Sequence, residues 1–123
     1  MILLVTGGRK RTDSAFVHRI LDEINGTTPI EVLIEGGAWG VDRLARDWAV
    51  RAGVHVATVE ALWNSYGKAA GAIRNEAMLS LKPDRVVAFP SANSPGTSNC
   101  ISKTLKRGIP ITIHTHDGKV HQR

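Results

Sequence analysis

Cysteine is almost missing from this 123-residue chain: Cys100 stands alone, which excludes an internal disulfide framework and fits a reducing, cytoplasmic compartment. Long apolar runs are missing as well. None approaches the ~18 residues of a membrane span, and the opening MILLVTGG is too short for a secretory leader, so no membrane partner is expected. Aromatic residues are few, with three Trp, one Tyr and two Phe. A groove that stacks successive bases of single-stranded nucleic acid needs several exposed rings, so this composition disfavours one. There is no G-x-x-x-x-G-K-[ST] loop, and no strict G-x-G-x-x-G follows the first apolar run, which weakens an ordinary dinucleotide reading. No Ser-His-Asp or Cys-His arrangement is discernible for nucleophilic catalysis. His114, His116 and His121 lack carboxylate or cysteine partners at zinc-like spacing, so they read as solvated histidines of a polar tail, and no metal is expected.

What is there is an ordinary globular composition, 42% hydrophobic and 22% charged, of a length that suits one domain with a real core. Lys and Arg number 16 against 11 Asp and Glu, a formal charge of +5. That excess points to an anionic partner, with phosphate the first candidate.

Five short, β-branched runs recur: 2–6, 31–35, 54–59, 85–89 and 109–113. Most are apolar without alternation, which predicts strands covered on both faces. Between them lie helical patterns. Val41, Leu44, Ala45, Trp48, Ala49 and Ala52 form one apolar stripe, with Trp48 in the core and Arg43, Arg46, Asp47 and Arg51 in solvent. Asp13 is placed to cap a helix through Phe16, Val17, Ile20, Leu21 and Ile24. Ile73, Ala77, Met78 and Leu81 mark a third helix and its buried stripe, which leaves Arg74 turned away from the core. Ser94-Pro95 opens a fourth helix, with Cys100 in its apolar pattern, and Gly108 closes it. Strand–helix alternation predicts a parallel α/β sheet with right-handed crossovers. Residues 1–113 make one domain, and the tail 114–123 is polar and expected to fray.

In such sheets ligands bind beyond the carboxyl ends of the strands, where strand order reverses. The segments there are TGGRKRTD, EGGAWGVD, EALWNSYGKAAGAIRNE and PSANSPGTSN. Three of the four hold glycines just before a helix, where backbone amides and the helix dipole suit a phosphate. Each glycine pair alone reads as readily as a tight turn; their convergence on one edge is the signal.

Taken together, VTGGR, IEGGAWGVDRLARDWAVRAG, W-x-x-YGKAAGAIRNEAML and PDRVVAFP…PGT resemble the cpYpsA-related branch of the SLOG superfamily over residues 2–113. That superfamily also holds the lonely-guy phosphoribohydrolases and the DNA-processing proteins of transformation. The resemblance implies a Rossmann-like three-layer sandwich, its five-stranded parallel sheet ordered 3-2-1-4-5 with helices on both faces. It also implies a site for a nucleotide or nucleotide-derived ligand. Carried over by motif, Gly7, Gly8 and Arg9 line the first loop, Gly36 and Gly37 form the second with Asp42 in its helix, Arg74, Asn75 and Glu76 belong to an R-N-E motif, and Gly96-Thr97 is the phosphate-holding turn.

Several of these residues carry two readings. Arg74 grips phosphate or faces solvent. Glu35 binds ribose hydroxyls or caps the Gly36 and Gly37 amides. Asp42 complements a helix dipole or serves catalysis. Trp39 stacks on a base or is a half-buried loop residue, while Trp63 and Tyr66 wall the pocket or a subunit contact. The phosphoribohydrolases carry P-G-G-x-G-T-x-x-E, whereas PSANSPGTSNC places Asn99-Cys100 where that glutamate falls. A carboxylate stabilises the oxocarbenium-like state of N-glycoside cleavage, so its loss favours a binding or sensing role. Arg74, with Glu76 or Glu35 standing in, would carry the alternative, a nucleotide N-glycosidase. Single-stranded nucleic acid is the third reading. No cofactor is implied beyond the nucleotide itself, and a homo-oligomer, by default a dimer, is expected. Within the basic excess, Arg9, Lys10, Arg11 and Arg74 are assigned to the pocket, and the helical arginines and lysines to solvated faces.

Overall fold

The computed structural model describes residues 1–123. Each of the five apolar runs forms a strand: β1 (Ile2–Gly7), β2 (Val32–Glu35), β3 (His55–Thr58), β4 (Arg85–Phe89) and β5 (Ile111–His114). They alternate with α1 (Ser14–Thr27), α2 (Val41–Ala52), a short α3 (Trp63–Tyr66), α4 (Ala70–Ser80) and α5 (Pro95–Arg107). The five strands are parallel and ordered β3-β2-β1-β4-β5, the expected Rossmann-like arrangement.

The sheet continues for one strand more. Residues 120–122 form β6 (Val120–Gln122), antiparallel to β5, so the sheet is mixed and six-stranded. This corrects the expectation of a frayed tail. A turn at Asp117-Gly118, with Gly118 at φ 87°, folds the chain back, and the Thr115 hydroxyl accepts the Lys119 N–H at 2.9 Å. His114 is corrected with it. It is buried in β5, its ring stacked on Phe89 at 5.3 Å and edge-on to Phe16 at 5.7 Å. Burial, with Arg11 and Arg85 nearby, holds its imidazole below the usual pKa.

Two apolar layers enclose the sheet. Val17, Ile20, Leu21 and Ile24 of α1 join Val41, Ala45, Trp48 and Ala49 of α2 on one face, against Leu3, Val5, Leu33 and Val87. Met78, Leu79 and Cys100 of α4 and α5 cover Leu4, Ile34, Val86 and Ala88 on the other. Burying each such side chain contributes roughly 1.5–3 kcal/mol before entropy is charged against it. Trp48 and Cys100 are core residues, and burial pushes the Cys100 thiol up to about 11.

The register of α4 differs from the sequence pattern. Ile73, Ala77 and Leu81 face solvent, while Ala70, Asn75, Met78 and Leu79 are buried. The physical reason is Asn75, whose amide is spent on α5 and turns that side of the helix inward. No helix is long and apolar enough to cross a membrane.

Candidate functional site

Because β1 lies between β2 and β4, chain direction around the sheet reverses at the β1–β4 pair, and their carboxyl ends part to leave a crevice. A cleft of about 320 Å³ occupies that position. The β1 loop supplies Gly7, Gly8, Arg9 and Lys10; α2 supplies Asp42; α4 supplies Arg74 and Asn75; and the start of α5 supplies Gly96 and Thr97. Four separate predicted loops thus meet in one place.

The β1 glycines serve close chain packing. A Cβ on Gly7 would stand 2.7 Å from the Phe89 carbonyl oxygen, and one on Gly8 would stand 2.8 Å from the Ser91 amide nitrogen. Gly8 N–H donates to the Phe89 carbonyl at 3.0 Å, and its own carbonyl accepts the Val41 N–H at 3.3 Å. Gly8 therefore ties β4 and α2 together beneath the cleft floor. Gly96 is different: nothing lies within 4 Å of where its Cβ would be, so no neighbouring chain covers that side of the head of α5. Ser94 precedes that helix without a side-chain cap, and no acidic residue stands in its first turn. Its first N–H groups and their partial positive charge are uncompensated.

Arg74 reaches the β2 side of the cleft rather than bulk solvent. Its Nη1 donates to the Gly36 carbonyl at 2.6 Å and its Nε to Asn75 Oδ1 at 3.0 Å. Asn75 Nδ2 in turn donates to the Gly96 carbonyl and to Asn99 Oδ1, both at 3.1 Å. Both N–H donors of this buried amide are used within the protein, so Asn75 positions the head of α5 and Arg74. Asn99 is part of the same brace, and its neighbour Cys100, third after Thr97 where the P-G-G-x-G-T-x-x-E pattern carries glutamate, is buried in the core.

Asp42 is the single carboxylate lining the cleft. It is 6% exposed, its Oδ2 accepts the Ala38 N–H at 3.2 Å, the Gly36 amide lies close to the carboxylate, and its Oδ1 makes no hydrogen bond of normal geometry. His114 Nδ1 is the one fully buried side-chain atom left unbonded, so Asp42 Oδ1 reaches solvent. It forms no ion pair with Arg74. Burial outweighs the Ala38 amide and the Arg74 charge and pushes its pKa up to about 6.

Both other carboxylates expected here lie elsewhere. Glu35 is fully buried and spent: Gly37 N–H donates to its Oε1 at 2.6 Å and the Thr58 hydroxyl to its Oε2. Its capping reading is the one the geometry supports. Glu76 sits on the outer side of α4 in ion pairs with Lys103, at 2.9 Å, and Arg107. Those pairs hold its carboxyl below its ordinary pKa. It does not line the cleft. Arg11 is corrected too: it donates to the carbonyls of Pro90, at 3.1 Å, and His114, at 2.5 Å, and pairs with Asp13.

The second glycine loop divides. Gly36 makes room for Arg74 and Asp42, while Gly37, at φ 72°, and Trp39 turn to a separate cavity of about 600 Å³. Trp39 is 67% exposed with the Arg43 guanidinium 3.8 Å from its ring centre. Trp63 walls the first cleft and has Arg9 5.8 Å from its ring centre; Tyr66 stands half exposed outside it. Sequence reasoning missed Ser91, Asn93 and Ser94 as cleft residues, although PSANSP, rich in short polar residues after a strand, was the available signal.

A family model described as YAcAr, the YspA, cpYpsA-related SLOG family, matches residues 1–66. The gene 61 protein of Mycobacterium phage D29 is 36% identical over 115 residues, which span 89% of this chain and 92% of that protein. In three dimensions the chain superposes on DNA processing protein A from Streptococcus pneumoniae with a TM-score of 0.74. Identity there is 16%, and 91% of this chain is covered, a likeness of fold. The chain spans about half the length of that structure, 49%.

Proposed function

The chain belongs to the YspA, cpYpsA-related SLOG family, and from that premise we propose that it binds a nucleotide or nucleotide-derived ligand, phosphate first, in the cleft beyond β1 and β4. The observation that carries the reading is the convergence of Arg9, Lys10 and Arg74 with the uncapped head of α5 in one crevice. Backbone amides at Gly96 and Thr97 would take phosphate oxygens, and the three side chains would neutralise them. A cleft of about 320 Å³ suits a small, compact anion such as a nucleoside monophosphate or a phosphoribosyl group. Binding or sensing is favoured over N-glycoside cleavage, because Glu35 and Glu76 are engaged elsewhere and Asn99-Cys100 stand where the glutamate would fall.

The test is calorimetry and thermal shift against a nucleotide panel. A ligand at 100 times its Kd adds about 2.7 kcal/mol of apparent stability, and Arg74→Ala should remove that response while the domain stays folded. Equal affinity in wild type and Arg74→Ala would refute the site. Single-stranded nucleic acid is a second reading, favoured by one observation: Trp39 with Arg43 and Trp63 with Arg9 present two exposed aromatic–guanidinium pairs. Affinity for an oligonucleotide that falls steeply with salt, and that Trp39→Ala weakens, would support it.

A further inference from the structure

We propose that Asp42 is the residue by which the cleft selects a phosphorylated sugar over a bare phosphate, its free carboxylate oxygen accepting a sugar hydroxyl while the basic loops hold the phosphate. This rests on the reading that the cleft takes a phosphate-bearing ligand.

An anion cleft gains nothing from a carboxylate facing the anion itself; at a few ångströms the two repel. Asp42 is nonetheless the sole acidic group in a lining that holds Arg9, Lys10 and Arg74. Its charge is not neutralised by an ion pair. Its free oxygen faces solvent, so a ligand that displaces that water has to bring a donor of its own. Geometry limits where that donor sits. The Ala38 N–H fixes Oδ2 at 3.2 Å and burial fixes the rest of the side chain, which leaves Oδ1 as a pre-oriented acceptor.

The usual ribose acceptor of such folds, at the end of the second strand, is not available: Glu35 is sealed by Gly37 and Thr58. Asp42, seven residues on and in the first turn of α2, stands in the cleft instead. Part of its role is structural: in the first turn of α2 it complements the helix dipole, and its Oδ2 ties the Ala38 N–H, which an asparagine amide oxygen would do equally well. Burial raises the carboxyl to a pKa of about 6, so the ionised group costs the fold stability that an amide would not. Keeping a costly ionised acid at a cleft is the mark of a binding or catalytic use.

The experiment measures calorimetric Kd values for inorganic phosphate and ribose 5-phosphate at pH 7.5 in wild type, Asp42→Asn, Asp42→Ala and Arg74→Ala. Wild type should prefer ribose 5-phosphate by about tenfold or more, the scale of one hydrogen bond to a charged group. Both Asp42 variants should lose that preference while binding inorganic phosphate at least as tightly as wild type. Arg74→Ala should weaken both probes together. A sugar preference that survives in Asp42→Asn and Asp42→Ala overturns the inference and leaves the phosphate site standing. Equal affinity of wild type for the two probes overturns it likewise. Failure of both probes to bind wild type overturns the phosphate reading and this inference with it.

Discussion

Arg74 on α4 and Gly36 beyond β2 hold one another across the sheet head, the guanidinium donating to the glycine carbonyl at 2.6 Å while the missing side chain of Gly36 leaves the space that guanidinium occupies. A methyl group there would stand 2.8 Å from Arg74 Cζ and 3.0 Å from Asp42 Oδ2. Gly36→Ala should therefore expel the arginine from its seat. The expected outcome is a folded protein weakened by about 1–3 kcal/mol, the scale of overpacking. Its affinity for phosphate ligands should fall at least as far as in Arg74→Ala. Urea unfolding and calorimetry measure the two effects; undiminished ligand affinity would contradict the arrangement.

Asp42 makes stability depend on pH in a definite direction. Its pKa is raised from 3.8 to about 6, so the folded state holds its proton more tightly than the unfolded chain does. The native state is favoured below pH 3.8, and that advantage is lost as pH rises through about 6. Asp42→Asn should then be more stable than wild type at pH 7, by up to about 3 kcal/mol, because each tenfold change in proton affinity is worth about 1.4 kcal/mol. The gap should close toward pH 4. Denaturant melts at pH 4, 5, 6 and 7 would show it, and a pH-independent difference would rule it out.

His114 acts on the acid side with the opposite sign. Burial, Arg11 and Arg85 lower its pKa, so protonation opposes folding and stability drops as pH falls below 6.5 toward the folded value. His114→Phe should flatten that limb of the stability profile and retain the stack on Phe89. Unchanged steepness between pH 6.5 and 5 would exclude His114 as its source.

Two left-handed glycines should answer differently to alanine. Gly40, at φ 80°, has the Arg9 carbonyl oxygen 2.6 Å from its Cβ position, whereas Gly53, at φ 72°, has open space. Gly53→Ala should cost about 1–2 kcal/mol, the left-handed penalty alone. Gly40→Ala adds a backbone collision and should lower the melting temperature much further. Equal costs would mean the loop at 36–40 relaxes freely.

Glu76→Gln should leave ligand affinity untouched, because the carboxylate pairs with Lys103 and Arg107 outside the cleft. Its stability loss should be small at low salt and vanish at high salt, as exposed ion pairs are screened. Loss of ligand affinity in this variant would return Glu76 to the site.

Most of the architecture was legible because the strands are continuous β-branched runs, α2 carries a clean apolar stripe, and α2 and α5 each stop at a left-handed glycine, Gly53 and Gly108. Two elements were not, for separate reasons. In α4 the apolar residues Ile73 and Leu81 lie outside while a polar residue, Asn75, lies inside, so hydropathy periodicity points to the wrong face. For β6, polarity concealed a strand whose Asp117-Gly118 dipeptide was an available hairpin signal. In the site, the glycine loops and Arg74 were readable from spacing before helices. The partners of Glu35 were not, since Thr58 lies on another strand and only the fold brings its hydroxyl near.

The placement of β1 also bears on how the chain is made. Its Leu3, Leu4 and Val5 leave the ribosome before any other strand of the sheet, yet they end at its centre with no exposed surface. After β3 is synthesised the nascent chain can pair only one side of β1; the other side waits for β4, whose first residue is Arg85. Through some two dozen residues of elongation the growing polypeptide therefore carries an apolar strand with an unpaired edge, and at ~5–20 residues per second that window lasts seconds. Translation speed between Val59 and Asp84 thus sets how long the half-built sheet is open to mispairing and to chaperone capture.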